Sequence, residues 1–258
     1  MLAILSPAKT LDFDTPLTTK KFSEPLFVGE STELIGHLRK LSPRDLSAKM
    51  KISDGLAELN VQRYADWRPS FESDAARPAI HAFKGDVYLG LNAPTLTARD
   101  HNYAQKHLRI LCGLHGLLRP LDRMRPYRLE MGTALKTQRG KDLYEFWGSK
   151  VTDALNETIA DNSHRALVNL ASNEYANVIQ NDALDARIID VKFLDYKNGQ
   201  YKFISFFGKR ARGSMARYMI DHRVKSLKQL REFDYDGYRF SEERSTGDHW
   251  VFTRKQAV

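Results

Sequence analysis

Short apolar runs bounded by proline or glycine alternate along the chain with longer stretches in which apolar residues recur every three or four positions. Strand and helix signals therefore succeed one another from end to end. Leu2-Ala3-Ile4-Leu5 reads as a buried strand stopped by Ser6-Pro7. Residues 12–25 hold prolines, threonines and lysines without a period, which predicts a long loop. Residues 31–67 predict three helices. Ser31 or Thr32 caps the first, with Leu34, Ile35 and Leu38 on its apolar stripe. Ser42-Pro43-Arg44-Asp45 starts the second, which carries Leu46 and Met50, by joining a serine cap, a proline at the first position and an acid in the first turn. Ser53 caps the third, with Leu56, Leu59 and Val61 facing inward, and Trp67-Arg68-Pro69 stops it.

Residues 79–91 predict a strand interrupted by a glycine turn at Gly85, and residues 97–109 a helix with Tyr103 and His107 or Leu108 toward the core. Residues 142–159 predict a helix, and 167–171 and 188–193 predict strands. Asn198-Gly199 is the clearest turn signal. It predicts a hairpin joining 191–196 to 201–207, followed by a helix over 209–223 with Met215, Tyr218 and Met219 on one side. Trp250-Val251-Phe252 predicts an edge strand. No repeat or linker divides the chain. The alternation favours an α/β or α+β unit, taken here as one α/β mixed-sheet unit with surrounding helices over residues 1–258, with a helical subregion at 31–67.

Composition adds a charge bias. Of 258 residues, 40 are basic and 32 acidic, a formal charge of +8 that favours an anionic partner. Cys112, the one cysteine, cannot form an internal disulfide, and its apolar surroundings predict a buried, inert thiol. The apolar N-terminus is too short for a signal peptide, and no run approaches the roughly 20 apolar residues that cross a bilayer, so a cytoplasmic location without membrane contact is expected.

The surplus falls in two stretches. Lys202, Lys209, Arg210, Arg212, Arg217, Arg223, Lys225, Lys228 and Arg231 face only Asp221; Lys106, Arg109, Arg119, Arg123, Arg125, Arg128, Lys136, Arg139 and Lys141 face only Asp122 and Glu130. Arginine forks match phosphate oxygens, so Arg119, Arg125, Arg128, Lys209, Arg210 and Arg212 are candidate nucleic-acid contacts; the bland alternative is a solvated basic face. Tyr127, Phe206 and Phe207 stand beside these charges as stacking surfaces, although the alternation through 203–207 predicts core positions instead. Met50-Lys51-Ile52-Ser53 joins two helices, with Ala57 four residues on. In a helix-hairpin-helix element such a turn lays backbone N–H groups on a phosphate, which makes Lys51 and Ser53 candidate contacts. Lys51 and Ser53 occupy places where that element carries glycines, and a generic helical hairpin fits the pattern as well.

Several blocks resemble the peroxide stress resistance protein YaaA family. They are Ser6-Pro7-Ala8-Lys9-Thr10-Leu11, Phe83-Lys84-Gly85-Asp86-Val87-Tyr88, and Leu114-His115-Gly116-Leu117-Leu118-Arg119-Pro120-Leu121-Asp122. Arg125-Pro126-Tyr127-Arg128-Leu129-Glu130-Met131-Gly132, Leu143-Tyr144-Glu145-Phe146-Trp147-Gly148, Asn169-Leu170-Ala171-Ser172-Asn173-Glu174-Tyr175 and Gly208-Lys209-Arg210-Ala211-Arg212-Gly213 follow in order. The resemblance implies a cytoplasmic bacterial protein of hydrogen peroxide defence that binds DNA, limits oxidative damage and helps keep free iron low; the clustered arginines add the expectation that phosphates are gripped with little sequence preference. It also implies a single α/β unit with a positively charged cleft and a helix-hairpin-helix element, which maps to residues 50–57. It implies no settled catalytic reaction.

An enzymatic alternative remains, a nucleotide- or nucleic-acid-processing cleft. Lys9, Lys84, Asp86, Asn169, Ser172 and Glu174 stand at or near predicted strand ends, where open α/β sheets bind ligands. No phosphate-loop, dinucleotide or hydrolase signature accompanies them, and neither a cofactor nor a metal site is expected. A third reading is an acidic protein partner in stress regulation.

Overall fold

The computed structural model describes residues 1–71, 75–161 and 164–255. β1 (Leu2–Leu5) is buried at every position and β2 (Thr10–Leu11) follows it. The loop over 12–25 forms no more than an isolated bridge at Ser23. Three helices come next: α1 (Val28–Leu38), α2 (Pro43–Met50) and α3 (Asp54–Asp66). The start of α2 is locally encoded: Asp45 N donates to Ser42 Oγ at 3.2 Å and Ser42 N donates to Asp45 Oδ2 at 3.0 Å. α1 starts before its expected cap. Ser31 lies inside it and is buried, its hydroxyl within 2.9 Å of Phe27 O and His115 Nδ1 and 3.0 Å of Leu114 O, so it serves the helix interior and the neighbouring loop rather than a cap. On α3 the buried stripe is Ala57, Asn60 and Tyr64, whereas Leu56 and Leu59, expected inside, are exposed. The Tyr64 hydroxyl donates to the carbonyl of Arg128 and so sets the rotation of the helix.

β3 (Arg77–Pro78), α4 (Ala79–Ala82), β4 (Phe83–Lys84) and α5 (Asp86–Leu91) replace the glycine-interrupted strand expected over 79–91, and only β4 pairs there, antiparallel to β2. α6 (Ala98–His107) opens on a Thr97–Asp100 capping box and runs into β5 (Leu108–Cys112), with Tyr103 and Leu108 buried as expected. β6 (Gly116–Leu118) and β7 (Arg123–Met124) follow. The helix expected over 142–159 is two, α7 (Leu143–Trp147) and α8 (Lys150–Ala160), divided at Gly148, whose φ of +50° few other residues adopt. β8 (Ala166–Leu170) and α9 (Asn173–Ala176) lead to β9 (Arg187–Lys197).

The Asn198-Gly199 turn has φ of +54° and +80°, the positive pair such a hairpin requires. Its second strand, β10 (Gln200–Lys202), is shorter than expected, and α10 (Ser205–Asp221) begins where the strand was expected to continue. Register explains this. Lys202 pairs with Asp195, so a strand extended to Phe207 would reach Asp190, a place held by Asn169 of β8. α11 (Leu227–Arg231), β11 (Arg239–Phe240) and β12 (His249–Lys255) complete the described chain. β12 is not an edge strand, because it pairs with β9 on one side and β11 on the other.

Among the described residues the strands form a mixed eight-stranded sheet in the order β11-β12-β9-β8-β1-β5-β6, with β10 on β9 and helices around it. β12, β9, β8, β1 and β5 run parallel; β11, β10 and β6 are antiparallel to their neighbours. The chain passes from β1 to β5 on one side and later to β8 on the other, so the strand order reverses at β1. Ligand crevices of open α/β sheets form outside the carboxyl ends of strands at such a point. α10 crosses α5 closely, since a methyl group on Gly213 would overlap the carbonyl of Val87 and one on Gly90 that of Arg210. That packing outweighs the strand preference of Val87-Tyr88 and holds residues 86–91 as helix. No helix among the described residues is long and apolar enough to cross a membrane.

Candidate functional site

The fold treats the two basic stretches differently. Over 104–141 four of the nine basic residues, Arg119, Arg128, Arg139 and Lys141, are answered by carboxylates. Arg119 donates from its backbone N and Nε to Asp122 at 2.8 and 2.9 Å, and Asp122 is fully buried. Glu130 takes both Arg128 and Lys9 at 2.7 Å. Arg139 pairs with Glu33 at 2.6 Å and Lys141 with Glu145 at 3.0 Å, while Arg125 donates to the carbonyl of Ser70 at 3.0 Å. Tyr127, Leu129 and Met131 are buried, so the intervening Arg128 and Glu130 run close to the molecule and meet each other. The Tyr127 ring, a candidate stacking surface, is internal, with its hydroxyl 2.5 Å from Cys112 Sγ.

The first half of α10 is different. Lys209 and Arg210 are exposed and Arg212 is half-buried, and none of the three has a hydrogen-bond or ion-pair partner among the described residues. Burial lowers the pKa of the Arg212 guanidinium, and no carboxylate offsets that cost. Phe203 and Phe206, which alternation placed in the core, are 45% and 49% exposed, because the onset of α10 replaces a period of 2 by one of 3.6. Phe207 is half-buried under the Arg254 guanidinium at 4.6 Å. Farther along the chain, Arg217 pairs with Asp221 at 2.8 Å and Arg223 with Asp100 at 2.5 Å.

A cleft of about 610 Å³ opens between α10 and the carboxyl end of β8. Its cause is a gap in the sheet. β8 pairs with β9 as far as Asp190 and β10 pairs with it from Asp195, so the same edge of β9 is uncovered in between. Asn169, Asp190, Lys192, Phe203, Arg212 and His249 line the cleft. Asn169 Nδ2 donates to Asp190 Oδ1 at 2.8 Å, and His249 Nδ1 lies 3.4 Å from Asp190 Oδ2. An adjoining depression of about 460 Å³ shares Asn169, Asn173 and Asp190.

A model of the family described as peroxide stress protein YaaA matches residues 1–244. The chain belongs to the YaaA family. Membership associates it with resistance to peroxide stress. Several of the blocks that carry the YaaA resemblance meet at one end of the sheet. Ser6-Pro7 follows β1, His115 follows β5, and Ala171-Ser172 follows β8. Ser172 N donates to Ser6 Oγ at 2.8 Å, and the Tyr88 hydroxyl donates to the carbonyl of Ser6 at 3.1 Å.

The polar residues selected from the sequence do not converge on one pocket of this YaaA chain. Lys9 lies with Arg128, Glu130 and Tyr175; Lys84 lies with Asp12 beside α5; Asn169 is in the cleft under α10. Asp86 stands in the first turn of α5. Glu174 accepts from Gly132 N at 3.1 Å. Sequence reasoning passed over Asp190, Lys192 and His249. For Asp190 and Lys192 the available signal was polar side chains at alternate positions of a strand whose intervening residues, Ile189, Val191 and Phe193, are buried.

In the same family chain, α2 and α3 form a tight helical hairpin. Lys51 takes a left-handed conformation, φ 52° and ψ 52°, at the position where glycine is otherwise favoured. Ser53 is the N-cap of α3, but its hydroxyl makes no cap bond. Both are exposed, while Ile52 and Ala57 anchor the turn in the core.

Proposed function

We propose that this chain binds DNA through phosphate contacts with little sequence preference, that it limits oxidative DNA damage, and that it helps to keep free iron low. The observation that carries the reading is the first half of α10, where Lys209, Arg210 and Arg212 lack partners among the described residues, beside the exposed rings of Phe203 and Phe206. Unpaired cations release counterions from a phosphate backbone, and exposed rings offer stacking surfaces to bases. The α2–α3 turn supports a second contact. Exposed Lys51 and the uncommitted Ser53 hydroxyl stand at the start of a 13-residue helix, as in a helix-hairpin-helix element that holds phosphate on backbone N–H groups. The nucleotide-processing alternative through Lys9, Lys84, Asp86, Asn169 and Glu174 draws less support, since these residues are spread over separate depressions and several are engaged by neighbours.

Titration of a labelled duplex between about 50 and 200 mM salt tests the reading. Binding should weaken steeply with salt, and the double variant Lys209→Glu, Arg210→Glu should weaken it on every sequence alike. A chain that binds no duplex at the lowest salt refutes the proposal.

A further inference from the structure

We infer that the cleft between α10 and the carboxyl end of β8 holds a single nucleoside monophosphate unit, its phosphate on Arg212 and Lys192 and its base against Phe203. The inference rests on the nucleic-acid reading of α10 and names the unit that the adjoining cleft takes.

The volume of about 610 Å³ lies within the range of small-molecule sites. Arg212 is a half-buried guanidinium that no carboxylate answers, and Lys192, exposed on the uncovered edge of β9, is likewise without a partner among the described residues. A ligand anion is the group that would complete this pair, and phosphate matches the guanidinium fork. The Phe203 ring is 45% exposed and packs over Gly208, where a side chain would collide with it, and its open part offers a stacking surface. Asp190, in the same cleft, would repel a phosphate on its own side. Its oxygens, already oriented by Asn169 at 2.8 Å and facing His249 at 3.4 Å, suit the hydroxyls of a ribose or the exocyclic amine of a base. Cation, aromatic ring and carboxylate thus meet in one cleft, the three functions that phosphate, base and sugar or base edge require.

The experiment has three arms: adenosine 5′-monophosphate followed by calorimetry, a fully paired duplex, and the same duplex with one unpaired nucleotide. The wild-type chain should bind the mononucleotide with a Kd between about 10 μM and 1 mM. It should also prefer the duplex with the unpaired nucleotide. Arg212→Gln should weaken mononucleotide binding roughly tenfold or more, and Phe203→Ala, at an exposed ring, should weaken it without loss of the fold. Lys209→Glu with Arg210→Glu should weaken paired-duplex binding and leave the mononucleotide bound. Mononucleotide binding without duplex binding would support the cleft assignment and overturn the duplex reading. Duplex binding with no mononucleotide binding and no preference for an unpaired base would overturn the cleft assignment and leave the duplex reading standing. Mononucleotide binding insensitive to both Arg212→Gln and Phe203→Ala would also overturn it.

Discussion

Gly90 of α5 and Gly213 of α10 bring the two helix backbones into direct contact, with room for no side chain at either position. The crossing fixes the depth at which α10 sits and therefore which of its arginines reach the cleft. Gly213→Ala should destabilise the fold by about 1–3 kcal/mol through overpacking against backbone that cannot yield. Gly55, in α3, has open space around it, so Gly55→Ala should instead be neutral or stabilising by about 0.5–1 kcal/mol. Urea midpoints of both variants check the contrast, and equal effects would show that the crossing is not tight.

Cys112 is wholly buried, and burial pushes its thiol up to about 11 despite the neighbouring Tyr127 hydroxyl. The thiolate is the reactive form, so the native chain at neutral pH should react with thiol reagents and hydrogen peroxide about two orders of magnitude more slowly than an ordinary cysteine. One thiol should become reactive on unfolding in guanidinium. Rapid trapping of a sulfenic acid from the native chain would contradict this and place peroxide chemistry at Cys112.

His81 and His115 are buried, and desolvation lowers their imidazoles to about 4 and about 3; His101 and Arg77 lower His81 further. In the unfolded chain both return to about 6.5. Above that pH both residues are neutral in either state, and their neutral burial carries no pH penalty. As pH falls from about 6.5 toward 4, the unfolded chain takes up protons that the folded chain refuses, so stability is lost at about 1.4 kcal/mol per pH unit for each histidine. Urea unfolding at several pH values between about 7 and 5 measures the slope. His81→Gln should reduce it by one proton, and a flat profile in wild type would show that the imidazoles are not held neutral.

Arg119 illustrates a basic residue used internally. It answers the carboxylate of Asp122, whose pKa burial raises against hydrogen bonds from Ser23 and from Arg119 itself. Arg119→Gln should cost about 1–3 kcal/mol of stability by leaving that carboxylate underpaired. If duplex binding depends on the unpaired cations of α10, the same variant should bind DNA nearly as wild type does. A large loss of binding with stability unchanged would place Arg119 at the interface instead.

Much of the local structure was readable beforehand for identifiable reasons. β1 is a run of four buried residues stopped by proline, α2 carries its own cap, and Asn198-Gly199 adopts the backbone that its turn demands. Where the reading failed, a distant partner had overruled local preference. Leu56 and Leu59 are outside because Tyr64 is tied to Arg128; residues 86–91 are helical because of Gly213; Phe203 and Phe206 are exposed because β8 already occupies the edge that a longer β10 would need.

The site divides in the same way. The order of residues alone determined that positive charge gathers in two stretches and that blocks typical of one family run the length of the chain, since composition and motif are properties of the string itself. Tertiary structure decided which cations remain available. Arg139 meets Glu33, Arg223 meets Asp100 and Lys9 meets Glu130, pairings between residues on the order of 100 positions apart, whereas Lys209, Arg210 and Arg212 meet none among the described residues. Coulomb attraction depends on distance through space, and only the folded chain sets that distance.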